Sequence, residues 1–257
     1  TSSTAVDVLE GLAAEHDAQM LAGHEISADG LVWKLTLRDG LTWHDGDPVR
    51  SDDCIPSIKR WAARNPFGGT LMGVTNEIRK VDDKSFAFHL KKPFPQLPYA
   101  LGSAGCYIMP ERMAKTDPFK QISEYVGSGP FKFIRKDWVS GASAAYEKFD
   151  GYVPRSEPPS MWSGGKRAYL DRVEWHVLPD PATKAAALQT GEIDWWENPI
   201  FDVLPTFEKD PNIRIHVINT LGVIGVLGVN HTLPPFNNRK LLRAVLPALN
   251  EQDFIDA

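Results

Sequence analysis

The residue types that could do chemistry are few, and their spacing does not bring them together. Seven histidines stand at 16, 24, 44, 89, 176, 216 and 231, none in HxH or HExxH spacing. Those spacings are what aim two imidazoles at one metal ion, so no metal site is expected. Two cysteines in 257 residues fall short of a disulfide scaffold and of a four-cysteine zinc site. Cys54 and Cys106 can pair in an oxidising compartment; free buried thiols are the favoured alternative. Gly127-Ser128-Gly129 lacks the GxxxxGK[ST] pattern and precedes an expected strand rather than a helix, so it does not read as a phosphate loop. No GxSxG elbow is present, which leaves a serine-hydrolase reading without support. Asp45-Gly46 reads as a tight turn with glycine at positive φ, and the adjacent His44 as structural rather than catalytic. No cofactor is expected.

The most informative segment is Glu192-Ile193-Asp194-Trp195-Trp196-Glu197-Asn198-Pro199. A strand is expected to end and a loop to open here, and in open α/β sheets ligands sit outside such strand ends. Adjacent tryptophans on a strand point to opposite faces. One is therefore expected in the core, while the other can wall a cleft. A purely structural role for both is an equally open alternative.

The elements that must position these residues follow from periodicity and turn signals. Residues 3 to 12 have helical apolar spacing, and a polar loop follows. Leu31 to Leu37 (LVWKLTL) alternates and predicts a strand. Ser51 is placed to cap a helix running to about Arg64, with Asp52 and Asp53 in the favourable first turn and Pro56 inside it. Glu77 to Val81 and Ser85 to Leu90 predict a hairpin about Asp82-Asp83-Lys84. A proline-rich stretch from Pro93 to Pro98 leads into a short helix through Leu101. Past Gly127-Ser128-Gly129-Pro130 come expected strands at 131–134, 143–147, 172–178, 193–196, 212–218 and 223–229. Helices are expected at 182–190 and about 237–246. Residues 150 to 167 are rich in Pro, Gly and Ser and predict a long loop. Strands alternate with helices after residue 130 and form hairpins before it, which predicts an α/β part beside a smaller α+β part.

Composition bounds the rest. Hydrophobic residues make up 42% and charged residues 24%, enough apolar material for a real core. The formal net charge is −5, which argues against a protein built to neutralise phosphates, and no nucleic-acid partner is expected. The longest apolar stretch, Leu221 to Val229, is far below the roughly 18 residues of a membrane span. No signal peptide is visible, and both ends read as cuts.

Four segments, in this order, resemble the extracytoplasmic solute-binding proteins of family 5, the peptide-, dipeptide- and nickel-binding receptors of ABC importers. The first is Gly30 to Val49 (GLVWKLTLRDGLTWHDGDPV) with Asp52-Asp53-Cys54 behind it. The second is Gly127-Ser128-Gly129-Pro130-Phe131. The third is Ala186 to Asp194 (AALQTGEID), and the fourth Pro235-Phe236-Asn237-Asn238 with Arg243-Ala244. Leu9 to Leu12 matches the family's entry block. Asn238 stands where the family usually has Asp, and Pro247 and Asn250 also depart from its pattern. The resemblance implies an α/β (mixed α+β), class II periplasmic-binding-protein-like fold, here partial. It implies residues 1–15 plus 128–230 as an incomplete, discontinuous domain I, 16–127 as domain II, and 231–257 as the start of domain III. It makes Gly127 to Gly129 a crossover from domain II back into domain I. It places Trp195, Trp196, Glu197 and Asn198 along the inter-domain cleft, in contact with the ligand. In the family, the strand corresponding to 223–229 and its flanks present residues to the ligand, which makes Asn230 a fifth expected ligand contact. Leu221 to Asn230 carries Gly222, Gly225 and Gly228, and the positions where the family presents aromatics are small or aliphatic here, so either the pocket is roomier or the strand packs closely on a neighbour.

The function implied is capture of a peptide or other small solute outside the inner membrane and delivery to the permease subunits of an ABC transporter, by a monomer that closes two lobes around its ligand. The glycosylation pattern at Asn230-His231-Thr232 has no role in such a bacterial, periplasmic protein. The alternatives are an enzyme of unknown chemistry on a mixed α/β scaffold, or a protein-interaction domain.

Overall fold

The computed structural model describes residues 19–102, 105–159, 164–218, 226–250 and 252. The chain divides into two compact units, residues 1–179 and 180–257. The helix expected at 3–12 and the entry block at Leu9 to Leu12 lie outside the described residues.

The first unit is built on a four-stranded antiparallel sheet ordered β1-β2-β4-β3, with β1 at Leu21–Ile26, β2 at Val32–Leu37, β3 at Thr75–Lys80 and β4 at Ser85–Leu90. In β2 the alternation expected from sequence is observed: Trp33, Leu35 and Leu37 are buried and Lys34 and Thr36 are half-buried. The polar loop expected before β2 is instead β1, an edge strand whose residues are nearly all exposed. Its composition carries no buried face; it is a strand because its backbone pairs with β2 from Leu21 opposite Leu37 to Ile26 opposite Trp33. Helix α1, Ser51–Ala62, packs beneath the sheet, with Cys54, Ile58 and Trp61 facing the core that Trp43, Leu71, Phe88 and Leu97 complete. Its N-cap is Arg50 and not Ser51, and Pro56 lies inside it without ending it. Helix α2, Pro66–Val74, begins where Asn65 Oδ1 accepts the N–H groups of Phe67 and Gly68. The short helices α3, Leu97–Gly102, and α4, Glu111–Ala114, follow.

One buried carboxylate ties these pieces together. Asp53, 3% exposed, accepts three N–H groups: Arg50 at 2.8 Å, Glu111 at 2.7 Å and the Trp43 indole at 3.3 Å. It thereby joins the start of α1, the start of α4 and the 41–49 turn. Ser57, one helical turn on, donates to the Asp53 carbonyl and accepts from Met109.

The second sheet of this unit is antiparallel and ordered β5-β6-β7, from Phe131–Phe133, Ser143–Lys148 and Arg172–His176. Tyr125, Phe133, Trp138 and Tyr146 form an aromatic cluster on it, and the Arg135 guanidinium lies 4.3 Å above the Trp138 ring. β2 and β7 lie in different sheets. The stretch 150–159 contains no helix or strand, as expected. It reaches back to the first sheet through Arg155, which donates to the Leu21 carbonyl, and through Arg38, whose guanidinium lies over the Tyr152 ring.

The second unit opens with helix α5, Pro181–Thr190, whose Asp180 cap accepts the Thr183 N–H at 2.7 Å. The short helix α6, Leu204–Phe207, and helix α7, Arg239–Val245, follow. The strands expected at 193–196 and 212–218 are not formed, nor is any strand at 226–229; 223–225 lie outside the described residues. The amides of Glu192 and Ile193 both donate to the Ala187 carbonyl at the end of α5, which turns them away from any ladder. The amides of Asn212 and Ile213 likewise bond to Asp210. Among the described residues no neighbouring strand pairs with either segment, and an extended segment without a ladder partner is not a strand.

Candidate ligand-binding site

The site begins at the end of α5. Gly191 adopts φ +74 there, the left-handed conformation that closes a helix at least cost in glycine. The chain therefore reverses, and Ile193 to Pro199 runs out past the helix terminus. The end of α5 from Leu188 to Gly191, the segment Ile193 to Trp196 with Pro199, and Asn212 to His216 with Ile218 together line a cleft of about 460 Å³, with the buried Phe207 also on its wall.

The two tryptophans divide their roles. Trp196 is half-buried; its ring meets Phe207 edge-on at 6.0 Å and 73°, and Lys184 Nζ lies 5.7 Å from its centroid. Trp195 is 59% exposed. The adjacent side chains thus separate into one that anchors the loop and one that offers an aromatic surface. Glu197 and Asn198 are exposed, Asn198 at φ +60, and neither lines the cleft. Asn230 is exposed as well; its Oδ1 accepts the Thr232 N–H and hydroxyl at 3.0 and 2.6 Å, a local turn rather than a cleft contact. Of the five residues expected at the site, the cleft brings together Trp195 and Trp196.

Sequence reasoning passed over two charged or polar residues of the lining. Arg214 and His216 line the same cleft as the tryptophans, with Asp194 as a second charge. In Asn212 to Ile218 the apolar residues Ile213, Ile215 and Val217 alternate with Arg214 and His216, but Ile213 and Ile215 line the cleft as well, so that spacing carried no signal for the two polar residues. The resulting chemistry is an aromatic surface beside one cationic and one anionic group, suited to holding a small polar solute by stacking and charge. Among the described residues no group of three or more His, Cys, Asp or Glu side chains is placed to hold a metal ion. Among them, too, no helix is long and apolar enough to cross a membrane.

Comparison with known proteins gives one consistent likeness. The family described as "Bacterial extracellular solute-binding proteins, family 5 Middle" matches residues 10–257. A protein of Sinorhizobium fredii (strain NBRC 101917 / NGR234), named "Probable peptide ABC transporter periplasmic-binding protein y4tO", is 43% identical over 93% of this chain and 45% of its own length. The chain thus spans about half the length of the curated relatives it matches. Among solved structures, the periplasmic binding protein DppA of Helicobacter pylori in complex with the peptide STSA superimposes with a TM-score of 0.60 at 25% identity, over 75% of this chain and 40% of that one. The binding protein MoaA of Agrobacterium tumefaciens R10, in complex with mannopinic acid, shares the fold with a TM-score of 0.68 at 24% identity, over 93% of this chain and 47% of that one. The mixed α/β, periplasmic-binding-protein-like fold expected from sequence is the fold observed, over part of those longer chains.

Proposed function

The chain belongs to the bacterial extracellular solute-binding proteins of family 5, and on that premise we propose that it is the ligand-holding part of the substrate-binding component of an ABC-type importer. It captures a peptide or other small solute outside the inner membrane, in the periplasm, and presents it to the permease. It acts as a monomer and by binding alone, without turnover. The observation that carries this reading is the 43% identity over 93% of the chain to a protein named as a peptide ABC transporter periplasmic-binding protein. The cleft supports it: Trp195 offers exposed aromatic surface while Trp196 is held on Phe207, the division of labour a solute site needs. The net charge of −5 supports a partner list without nucleic acid. We also read residues 1–15 plus 128–230 and residues 16–127 as separate lobes of the whole receptor, a reading supported by the placement of β2 and β7 in different sheets.

The test is mass spectrometry of the solutes that co-purify with the full-length receptor, followed by calorimetric titration of a defined set of di- to pentapeptides. Trp195→Ala is expected to weaken binding about tenfold, the equivalent of about 1.4 kcal/mol, with the fold retained. Trp196→Ala is expected to lower stability as well, because it strips a partner from Phe207. Chemical conversion of any bound solute by the purified protein would overturn the reading.

A further inference from the structure

His44 sits at the tip of a tight turn. The Trp43 amide donates to the Asp47 carbonyl at 2.8 Å, the Gly46 amide donates back to Trp43 at 2.9 Å, and Gly46 adopts φ +95. The turn is anchored from below by the buried Trp43 indole on Asp53. From this rigid mount the His44 amide donates to the Gly127 carbonyl at 2.9 Å. The imidazole then makes two further bonds to the same crossover segment, between Nδ1 and the Gly127 amide at 3.2 Å and between Nε2 and the Gly129 carbonyl at 3.0 Å. A Cβ on Gly127 would stand 3.0 Å from the imidazole Cε1, so the close seating depends on glycine. The Phe149 ring, just beyond the end of β6, packs edge-on at 5.0 Å. Through this one ring the 41–49 turn, which belongs with the first sheet, is joined to the entry into β5 and the exit from β6.

The two ring bonds admit one protonation state. A backbone amide only donates, so Nδ1 carries its lone pair; a carbonyl only accepts, so Nε2 carries the proton. The imidazole is neutral. A second proton would enter at Nδ1 and set N–H against N–H across 3.2 Å. We propose that His44 is a proton-sensitive clasp between the two sheets of the first unit, closed while its ring is neutral and released when the ring is protonated.

The surroundings act in the same direction. Burial holds His44 below the ordinary histidine range; the Gly129 carbonyl and Asp45 pull it upward, and Lys132 adds to the downward push. Both of these charges are engaged elsewhere, Asp45 with Arg112 at 2.7 Å and Lys132 with Glu147 at 3.0 Å. A group whose folded-state pKa is lowered loses no stability while pH stays above its unfolded value, near 6.5, and loses it as pH falls from there through the folded value.

The test compares the protein with His44→Gln by thermal unfolding from pH 8 to pH 5, together with an NMR titration of the His44 ring in the unmodified protein. Glutamine can accept from Gly127 and donate to Gly129 but does not titrate. Below pH 6.5 the unmodified protein is expected to lose about 2–4 °C of melting temperature per pH unit beyond what the variant loses, until His44 is protonated in the folded state. In the titration the ring is expected to keep the Nε2-protonated neutral form below pH 6.5, and the Gly127 amide signal to shift as that form disappears. The titration stands whether or not the glutamine variant folds. Protonation at or above pH 6.5, or a Gly127 amide indifferent to it, overturns the proposal; so do parallel melting profiles.

Discussion

Replacement of Asp53 by alanine is expected to cost about 3–5 kcal/mol, because its carboxylate accepts from three N–H groups on three separate segments. Each buried donor left without a partner costs ~1–3 kcal/mol. The Trp43 bond is buried, whereas the bonds from Arg50 and Glu111 are part-buried, where water recovers some of the loss. Alanine returns about 0.5 kcal/mol through its better helix propensity, which keeps the total near the middle of the range. Against a typical domain stability of ~5–15 kcal/mol, that loss is large. The substitution Asp53→Asn separates acceptor geometry from mere size. The one carbonyl oxygen of the asparagine can serve Arg50 and Trp43, as Oδ2 does now, while the amide group faces the Glu111 N–H as donor against donor. Asp53→Asn is therefore expected to cost about 1–3 kcal/mol, distinctly less than alanine. Urea unfolding at pH 7 with linear extrapolation measures both. The reasoning is refuted if Asp53→Ala lies within about 1 kcal/mol of the unmodified protein, or if the two variants are equally destabilised.

Gly127→Ala drives a methyl group to 3.0 Å from the His44 ring and is expected to lower stability by ~1–3 kcal/mol. Gly129→Ala meets nothing within 4 Å and is expected to stay within about 0.5 kcal/mol; the pair is compared by urea midpoints. Cys54 and Cys106 are free thiols pushed up to about 12, mainly by burial, so neither is expected to react with iodoacetamide in the folded protein at pH 8, and both react once it unfolds. Fast native-state labelling of either, followed by mass spectrometry, would contradict this. The Arg155 guanidinium holds the Glu157 carboxylate down to about 2, from an ordinary 4.5. Its stabilising contribution is thus complete above pH 4.5 and fades as pH falls toward 2; an NMR titration that placed its midpoint near 4.5 would show that the pair is broken in solution.

Where one face of an element is buried in the core, its pattern could be read. The alternation of Trp33, Leu35 and Leu37 announces β2 because burial acts on side chains two residues apart. The Asp180-Pro181 start and Gly191 stop announce α5 because caps are local chemistry. β1 escaped notice because its residues are nearly all exposed and its strand state rests on the ladder with β2. Ile193 to Trp196 has the composition of a strand, yet the amides at its start are drawn to the α5 terminus. At the cleft, Trp195 and Trp196 were legible as adjacent aromatics at an expected strand end. Glu197 and Asn198, next to them in the chain, and Asn230, at the end of the 221–230 segment, do not line this cleft.

The sequence by itself determined the kinship and the class of fold. Turn glycines, caps and ordered motif blocks are short-range features, and each is recorded in consecutive residues. Which tryptophan anchors and which is presented, that Arg214 and His216 share their cleft, and that Asp53 and His44 each join segments distant in the chain were decided only in three dimensions. Those outcomes depend on partners 10 to 85 residues away for Asp53 and His44. A buried polar group is defined by which donors and acceptors the folded chain brings to it, and no local pattern of residue types encodes that.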